Sequence, residues 1–389
     1  MQRRDQPKGR GGRNTGPVRQ PGRAGSGRAD RRIPSVQMSS GVRMPKPSGR
    51  QRMRRVLQRM VIGAALLAAL LLAVYGISQS FGRNDRPTRL GCLPSDRIEA
   101  FGEDVLYYNN GTLTCAGAGG NIRWTFQLGN NANFYAADRM VVAWSANQLY
   151  VINASGASTY NNRMTSNVQF ARIGATYVAA YLGDEDEGTI QVMNHQGTFV
   201  ESVAVSNVVL TDIGFFGNRG QRMWTLGLDV LGTAPTTTLS TYESGRQMAT
   251  GAASISDRMV YRIYLRDSYL MLVDTQSVTA YDYKCTPVPS LNASLIYGWQ
   301  YSDSREIGKE CYTLLHPMPD DDGTVRMRSM RLITKSGDAV LRLPTQCFAG
   351  VLGSRCLYAF SQSAVYYARY GQTRFRSENL NFPLERVIA

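Results

Sequence analysis

The feature that most constrains this chain is a recurrence of short apolar runs at near-constant spacing. Seven such runs occur: Val105-Leu-Tyr-Tyr, Met140-Val-Val-Ala-Trp, Tyr177-Val-Ala-Ala-Tyr, Met223-Trp-Thr-Leu, Tyr269-Leu-Met-Leu-Val, Cys311-Tyr-Thr-Leu-Leu and Cys356-Leu-Tyr-Ala-Phe. Their starts are separated by 35, 37, 46, 46, 42 and 45 residues. Rich in β-branched and aromatic residues and too short for amphipathic helices, they read as strands. Some units also carry a preceding strand, as in Ile98-Glu-Ala-Phe, Phe170-Ala-Arg-Ile and Phe348-Ala-Gly-Val. An alternating strand follows, as in Gln148-Leu-Tyr-Val-Ile, Thr189-Ile-Gln-Val-Met, Ser277-Val-Thr-Ala-Tyr and Ala364-Val-Tyr-Tyr.

Most units then reach a glycine: Gly120, Gly156, Gly197, Gly245, Gly337 or Gly371. A tight turn into an outer strand demands positive φ, which glycine adopts without a Cβ penalty. The fifth unit has Cys285-Thr-Pro-Val-Pro instead, which leaves its outer strand in doubt. Four strands at a period near 40 residues is the arithmetic of a β-propeller blade. The fully apolar second strand is then sandwiched between neighbouring blades, and the alternating third strand is half exposed. The fold expected for 96–389 is therefore an all-β propeller of seven blades, with eight as the alternative count. A β-sandwich is the competing architecture. The last stretch, Phe382 to Ile388, is available to add a strand that closes the ring.

Charge divides the chain sharply. Residues 1–60 carry seventeen Lys and Arg against Asp5 and Asp30, whereas the remainder carries twenty-seven of each sign. The basic character therefore belongs to a tail, and a nucleic-acid groove on the propeller is not expected. Residues 1–55, rich in Arg, Gly, Pro, Gln and Ser, hold too little apolar surface to offset ordering entropy and read as disordered. Residues 56–78 read as a transmembrane helix. Within them, Met60 to Ile77 is uncharged, with Leu66, Leu70 and Leu72 among its anchoring side chains. Arg50, Arg52, Arg54, Arg55 and Arg59 crowd its N-terminal side, so the positive-inside rule predicts a cytoplasmic tail and an exported C-terminal domain. The run exceeds the usual h-region of a cleaved signal peptide, which favours a retained anchor. Residues 79–95 form a polar linker.

All six cysteines lie on the exported side. Cys347 and Cys356 are the best candidate disulfide because they flank the turn of an expected hairpin; buried free thiols are the alternative. The acidic runs containing Asp184, Asp186, Asp320 and Asp322 invite a Ca²⁺ reading, but their spacing does not match an EF-hand, and solvated hairpin tips explain them equally. The only histidines, His195 and His316, read as turn or loop residues, and neither suggests a zinc site or a Ser-His-Asp triad.

The segment Gly120-Asn-Ile-Arg-Trp-Thr-Phe-Gln-Leu resembles the Gly…Trp-x-Phe strand of the PQQ-like (quinoprotein-type) propeller repeat. In that family the tryptophan docks between adjacent blades, which implies the same role for Trp124. Later units have Thr198-Phe199, Ala339-Val340 or Thr373-Arg-Phe at that place, so the likeness extends to the wider superfamily. The layout of basic tail, single span and divergent propeller is similar to bacterial membrane proteins of the DUF5711 type. That resemblance implies a fold and a topology and no activity. Quinone chemistry would need a Ca²⁺ site, an acid-base group and usually a vicinal disulfide, so no cofactor is expected.

The function expected from sequence is non-enzymatic: a single-pass membrane protein whose exported propeller binds a protein or cell-envelope ligand, with the bilayer as its other partner. One alternative is an enzyme or cofactor carrier using the central channel, where Glu99, Arg172 and Asp212 of the inner strands would converge. Another is recruitment of RNA, anionic lipid or a cytoplasmic partner by the basic tail.

Overall fold

The computed structural model describes residues 90–387, apart from 118, 138, 185, 186, 247, 294 and 295. Tail 1–55, the apolar run Met60–Ile77, its arginine flank Arg50–Arg59, most of the linker and Asp186 lie outside the described residues. Among the described residues, no helix is long and apolar enough to cross a membrane.

Residues 97–379 form seven antiparallel sheets, each built from one continuous stretch with its strands in sequence order. The blades span 97–127, 133–163, 168–206, 209–256, 262–281, 299–347 and 349–379. The fold is a seven-bladed propeller, so neither eight blades nor a sandwich is formed. The second strands fall on the seven apolar runs, for example Met140–Ser145 and Tyr177–Gly183.

The core explains why those runs are continuous instead of alternating. Six apolar clusters each bridge one pair of consecutive blades, from blades 1 and 2 through to blades 6 and 7. In blade 3, Val178, Ala180 and Leu182 pack toward blade 2, whereas Ala179 and Tyr181 pack toward blade 4. Successive side chains point to opposite faces, and here both faces are dry.

Blades 7 and 1 meet differently. Arg386 reaches from the C-terminal segment to the carbonyls of Pro94 and Asp96, at 2.8 Å each. The last strand ends at Asn379, so Phe382 to Ile388 adds no ladder to the ring over its described residues. Pro383 supplies no N–H there, and the segment instead bonds through the Leu380 and Leu384 N–H groups to the Ser363 and Gln362 carbonyls of blade 7.

The glycine turns take the expected conformation. Gly120, Gly156, Gly197, Gly245, Gly337 and Gly371 all have positive φ. In blades 2 and 3, Asn153 and Asn194 cap these turns by accepting two backbone N–H groups each. Blade 5 builds the same turn without glycine: Asp282 accepts from Lys284 and Thr286, and Cys285 takes φ 59°. Its sheet then stops at three strands, and the segment holding the doubtful outer strand instead makes isolated bridges and a 3-10 turn, Pro289–Leu291.

Trp124 docks between blades, as the resemblance implied. Its ring lies on the Gly156 turn of blade 2, its Nε1 donates to Ala154 O at 3.0 Å, and Phe101 meets it edge-on at 6.3 Å. Tyr160 seats on Gly197 of blade 3 in the same way. The signal for this second staple is the spacing Gly-x-x-x-aromatic, shared by Gly120/Trp124 and Gly156/Tyr160.

The expected Cys347–Cys356 bridge is not formed, and both thiols are free. The hairpin register pairs Ala349 with Phe360 and Leu352 with Leu357. Cys356 therefore sits at the turn, whereas Cys347 sits beyond the hairpin's open end. Six strand residues, about 20 Å, separate the two positions, far beyond the reach of a disulfide.

Candidate functional site

The central channel is lined by the first strand of each blade; there Arg172 and Asp212 pair, whereas Glu99 bonds Arg97 and Ala136. Arg172 Nε donates to Asp212 Oδ1 at 2.8 Å, linking blades 3 and 4. Its guanidinium also lies over Tyr135 of blade 2 and Phe170, at 4.7 and 5.1 Å. Glu99 Oε1 accepts from Arg97, and Oε2 accepts the Ala136 N–H of blade 2 at 2.8 Å. Burial raises the Glu99 pKa, against the lowering effects of the Ala136 N–H, Arg97 and Arg172. Burial likewise raises that of Tyr135. The same pattern continues on blades 6 and 7, where Asp303 accepts the Leu352 N–H and Arg305 donates to Leu352 O. These groups are consumed in joining neighbouring inner strands, which is a structural use of channel polarity.

The other sequence-derived candidates separate. Asp320 and Asp322 both bind Arg326, at 2.5 Å each, so a side chain of the same loop already supplies their countercharge. Asp184 occupies the tip between the second and third strands of blade 3, where its main chain bonds Glu187 and Tyr181. His195 Nε2 contacts Gly174 O at 2.9 Å, within a turn. His316 is not in a loop: it pairs with Gln300 inside the second strand of blade 6, because that strand runs on to Pro317. Cys115, Cys285, Cys311 and Cys347 are buried thiols, and Cys92 and Cys356 are half-buried.

One end of the propeller behaves differently. Antiparallel alternation puts the loops between second and third strands on the same face as the connections between blades. Of the thirteen exposed large apolar side chains among the described residues, eight stand in those segments: Leu93, Val230, Leu231, Met259, Tyr261, Tyr297, Met318 and Phe382. The opposite face holds Met248 and Leu265. Leu231 and Tyr297 are 84% and 83% exposed.

Hydrogen bonds tie these loops into one band over blades 4 to 6. Thr237 Oγ1 accepts Val260 N–H and donates to Arg258 O, which holds the base of the Val230–Leu231 loop against the Met259 segment. Tyr261 OH accepts the Tyr301 N–H, and Met318 N donates to Gly298 O beside Tyr297. The Asp320–Asp322 tip with Arg326 borders Met318, giving the apolar band a charged edge. An apolar centre with a polar rim is the usual make-up of a protein-binding surface. Sequence reading missed this band. Its signal is large apolar residues placed inside turn segments, as in Asp229-Val-Leu-Gly and Tyr297-Gly.

No family model matches the chain, so its likeness to the DUF5711 type rests on layout alone. No curated protein sequence matches it either. Solved propellers resemble it in fold. BamB from Moraxella catarrhalis aligns at 12% identity and a TM-score of 0.43, covering 68% of this chain and 79% of its own. Hsv2p from Kluyveromyces lactis aligns at 5% identity and 0.46, covering 73% and 96%. AztD from Citrobacter koseri aligns at 10% identity and 0.45, covering 74% and 86%. At such identities the likeness is one of fold alone.

Proposed function

We propose that this chain is a non-enzymatic binding module, a membrane-anchored propeller that holds a protein partner on the face carrying Leu231, Met259, Tyr261, Tyr297 and Met318. The observation that supports this reading is the one-sided distribution of exposed apolar side chains. Single exposed apolar residues are ordinary, but several on one face, carried by loops hydrogen-bonded to one another through three blades, mark an interaction surface. Aromatic residues such as Tyr261 and Tyr297 supply large contact area with few rotatable bonds, as binding hot spots do. The membrane assignment rests on the apolar run Met60–Ile77 and its arginine flank, and it places the propeller outside the cytoplasm.

A photo-crosslinking side chain at Met318, in the full-length chain within its native membrane, tests the binding face. Capture of one discrete protein, lost on introducing Leu231→Asp with Tyr297→Asp, is the expected result. Truncating one such anchor costs about 2 kcal/mol, roughly thirtyfold in Kd. Unchanged capture by a folded double variant overturns the assignment of this face. A reporter fused after Ala389 tests topology separately, and cytosolic activity would reverse it.

A further inference from the structure

The missing outer strand of blade 5 leaves a cavity of about 260 Å³ against blade 6, opening on the face opposite the apolar band. Arg266, Ser290, Asn292, Lys335, Ser336 and the Arg331-paired Asp338 contribute to its lining. Arg266, the last residue of the blade 5 inner strand, is only 8% exposed. Among the described residues its side chain makes no hydrogen bond or ion pair, and its Nε is buried without a partner.

This is a costly arrangement. A guanidinium stays protonated at any ordinary pH, so it cannot escape burial by losing its charge. Isolated buried cations are strongly disfavoured unless something of opposite sign meets them. The neighbouring acids are committed elsewhere. Asp267 binds Lys335 Nζ at 2.8 Å, Glu306 accepts the Asp267 N–H, Asp338 pairs with Arg331, and Glu310 accepts the Lys335 N–H. Arg266 is thus the cation of this group without an ion pair, and it lines the cavity. Asn292 Oδ1 accepts the Ala280 N–H, which leaves the two N–H donors of the same amide for the cavity side.

We propose that this cavity binds a carboxylate, with Arg266 as its countercharge and Asn292 as a neutral donor. A single guanidinium without an ion pair matches a planar monoanion, which it grips through two parallel N–H bonds. A phosphate dianion would bring a second negative charge beside the Asp338 carboxylate that also lines the cavity. The carboxylate belongs either to a chain terminus or to a small free acid. This site is separate from the apolar face and does not depend on it.

The test is thermal unfolding of the full-length chain at fixed ionic strength. Sodium chloride is replaced stepwise by sodium acetate, by triglycine with a free C-terminus, by triglycine amide, or by inorganic phosphate. Acetate and triglycine are expected to raise the unfolding midpoint, whereas the amide has no effect. Arg266→Met is expected to keep or raise the midpoint without ligand and to abolish the response. Arg266→Lys is expected to retain it at a half-saturating concentration at least tenfold higher. Triglycine acting at tenfold lower concentration than acetate assigns the site to a chain terminus, and equal potency assigns it to a small acid; both support the proposal. It is overturned if neither carboxylate shifts the midpoint, if Arg266→Met responds as the wild type does, or if phosphate is more potent than both. Should Arg266→Met fail to fold, identical half-saturation of wild type and Arg266→Lys overturns it.

Discussion

If the indole of Trp124 is seated on the Gly156 turn, the two residues must be energetically coupled, and a double-mutant cycle measures that coupling. Trp124→Ala removes a half-buried indole whose edge contacts Phe101 and whose Nε1–H meets Ala154 O. Taking about 100 Å² of lost apolar burial at 25 cal/mol per Å² gives roughly 2.5 kcal/mol, and the hydrogen bond adds at most about 1. Gly156→Ala acts twice. At φ 83° an L side chain is strained by about 1–2 kcal/mol. The new Cβ also lies 2.6 Å from the Trp124 ring, an overlap whose relief costs about 1–3 kcal/mol. With alanine at 124 that overlap vanishes and only the backbone strain remains. The double variant is therefore expected to be more stable than the sum of single effects by about 1–3 kcal/mol. Urea unfolding followed by far-UV circular dichroism supplies all four values. Additivity to within about 0.5 kcal/mol would refute the inter-blade staple, because sites that do not touch behave that way.

Two further predictions concern the channel and the thiols. Arg172→Ala removes the Asp212 ion pair and two ring contacts at once, and it is expected to cost about 2–3 kcal/mol after allowance for partial exposure. Arg172→Lys should recover only part of this in urea midpoints, since an ammonium cannot stack or fork as guanidinium does. Burial pushes the thiols of Cys115, Cys311 and Cys347 from an ordinary 9.0 up to about 11. Their protons are held more tightly in the native state, so their contribution is intact below pH 9 and is lost as pH rises toward 11. The corresponding Cys→Ala triple variant should show a flatter decline across that window, and iodoacetamide at pH 8 should spare these three in the folded protein while labelling Cys356 faster.

Much of the fold was legible because its determinants are local. An apolar run with no polar alternation states that both faces of a strand are covered, and repeating it seven times near a 40-residue period leaves little besides a ring of blades. The glycine turns were equally readable, since positive φ is a property of single residues. The absent glycine at Cys285 even marked the blade whose outer strand is missing.

What the tertiary structure decided depends on which distant segments meet. Cys347 and Cys356 are close in sequence but lie at opposite ends of a hairpin, because register, not spacing, sets distance in a sheet. The sequence marks Glu99, Arg172 and Asp212 as channel residues, yet only their contacts show that they join neighbouring inner strands to one another. The contact from Arg386 to the Asp96 carbonyl spans 290 residues of separation. The apolar band and the charge of Arg266 were invisible for the same reason: a turn leucine or a strand arginine has an ordinary local context, and its exposure or isolation arises only when the blades are brought round into a ring.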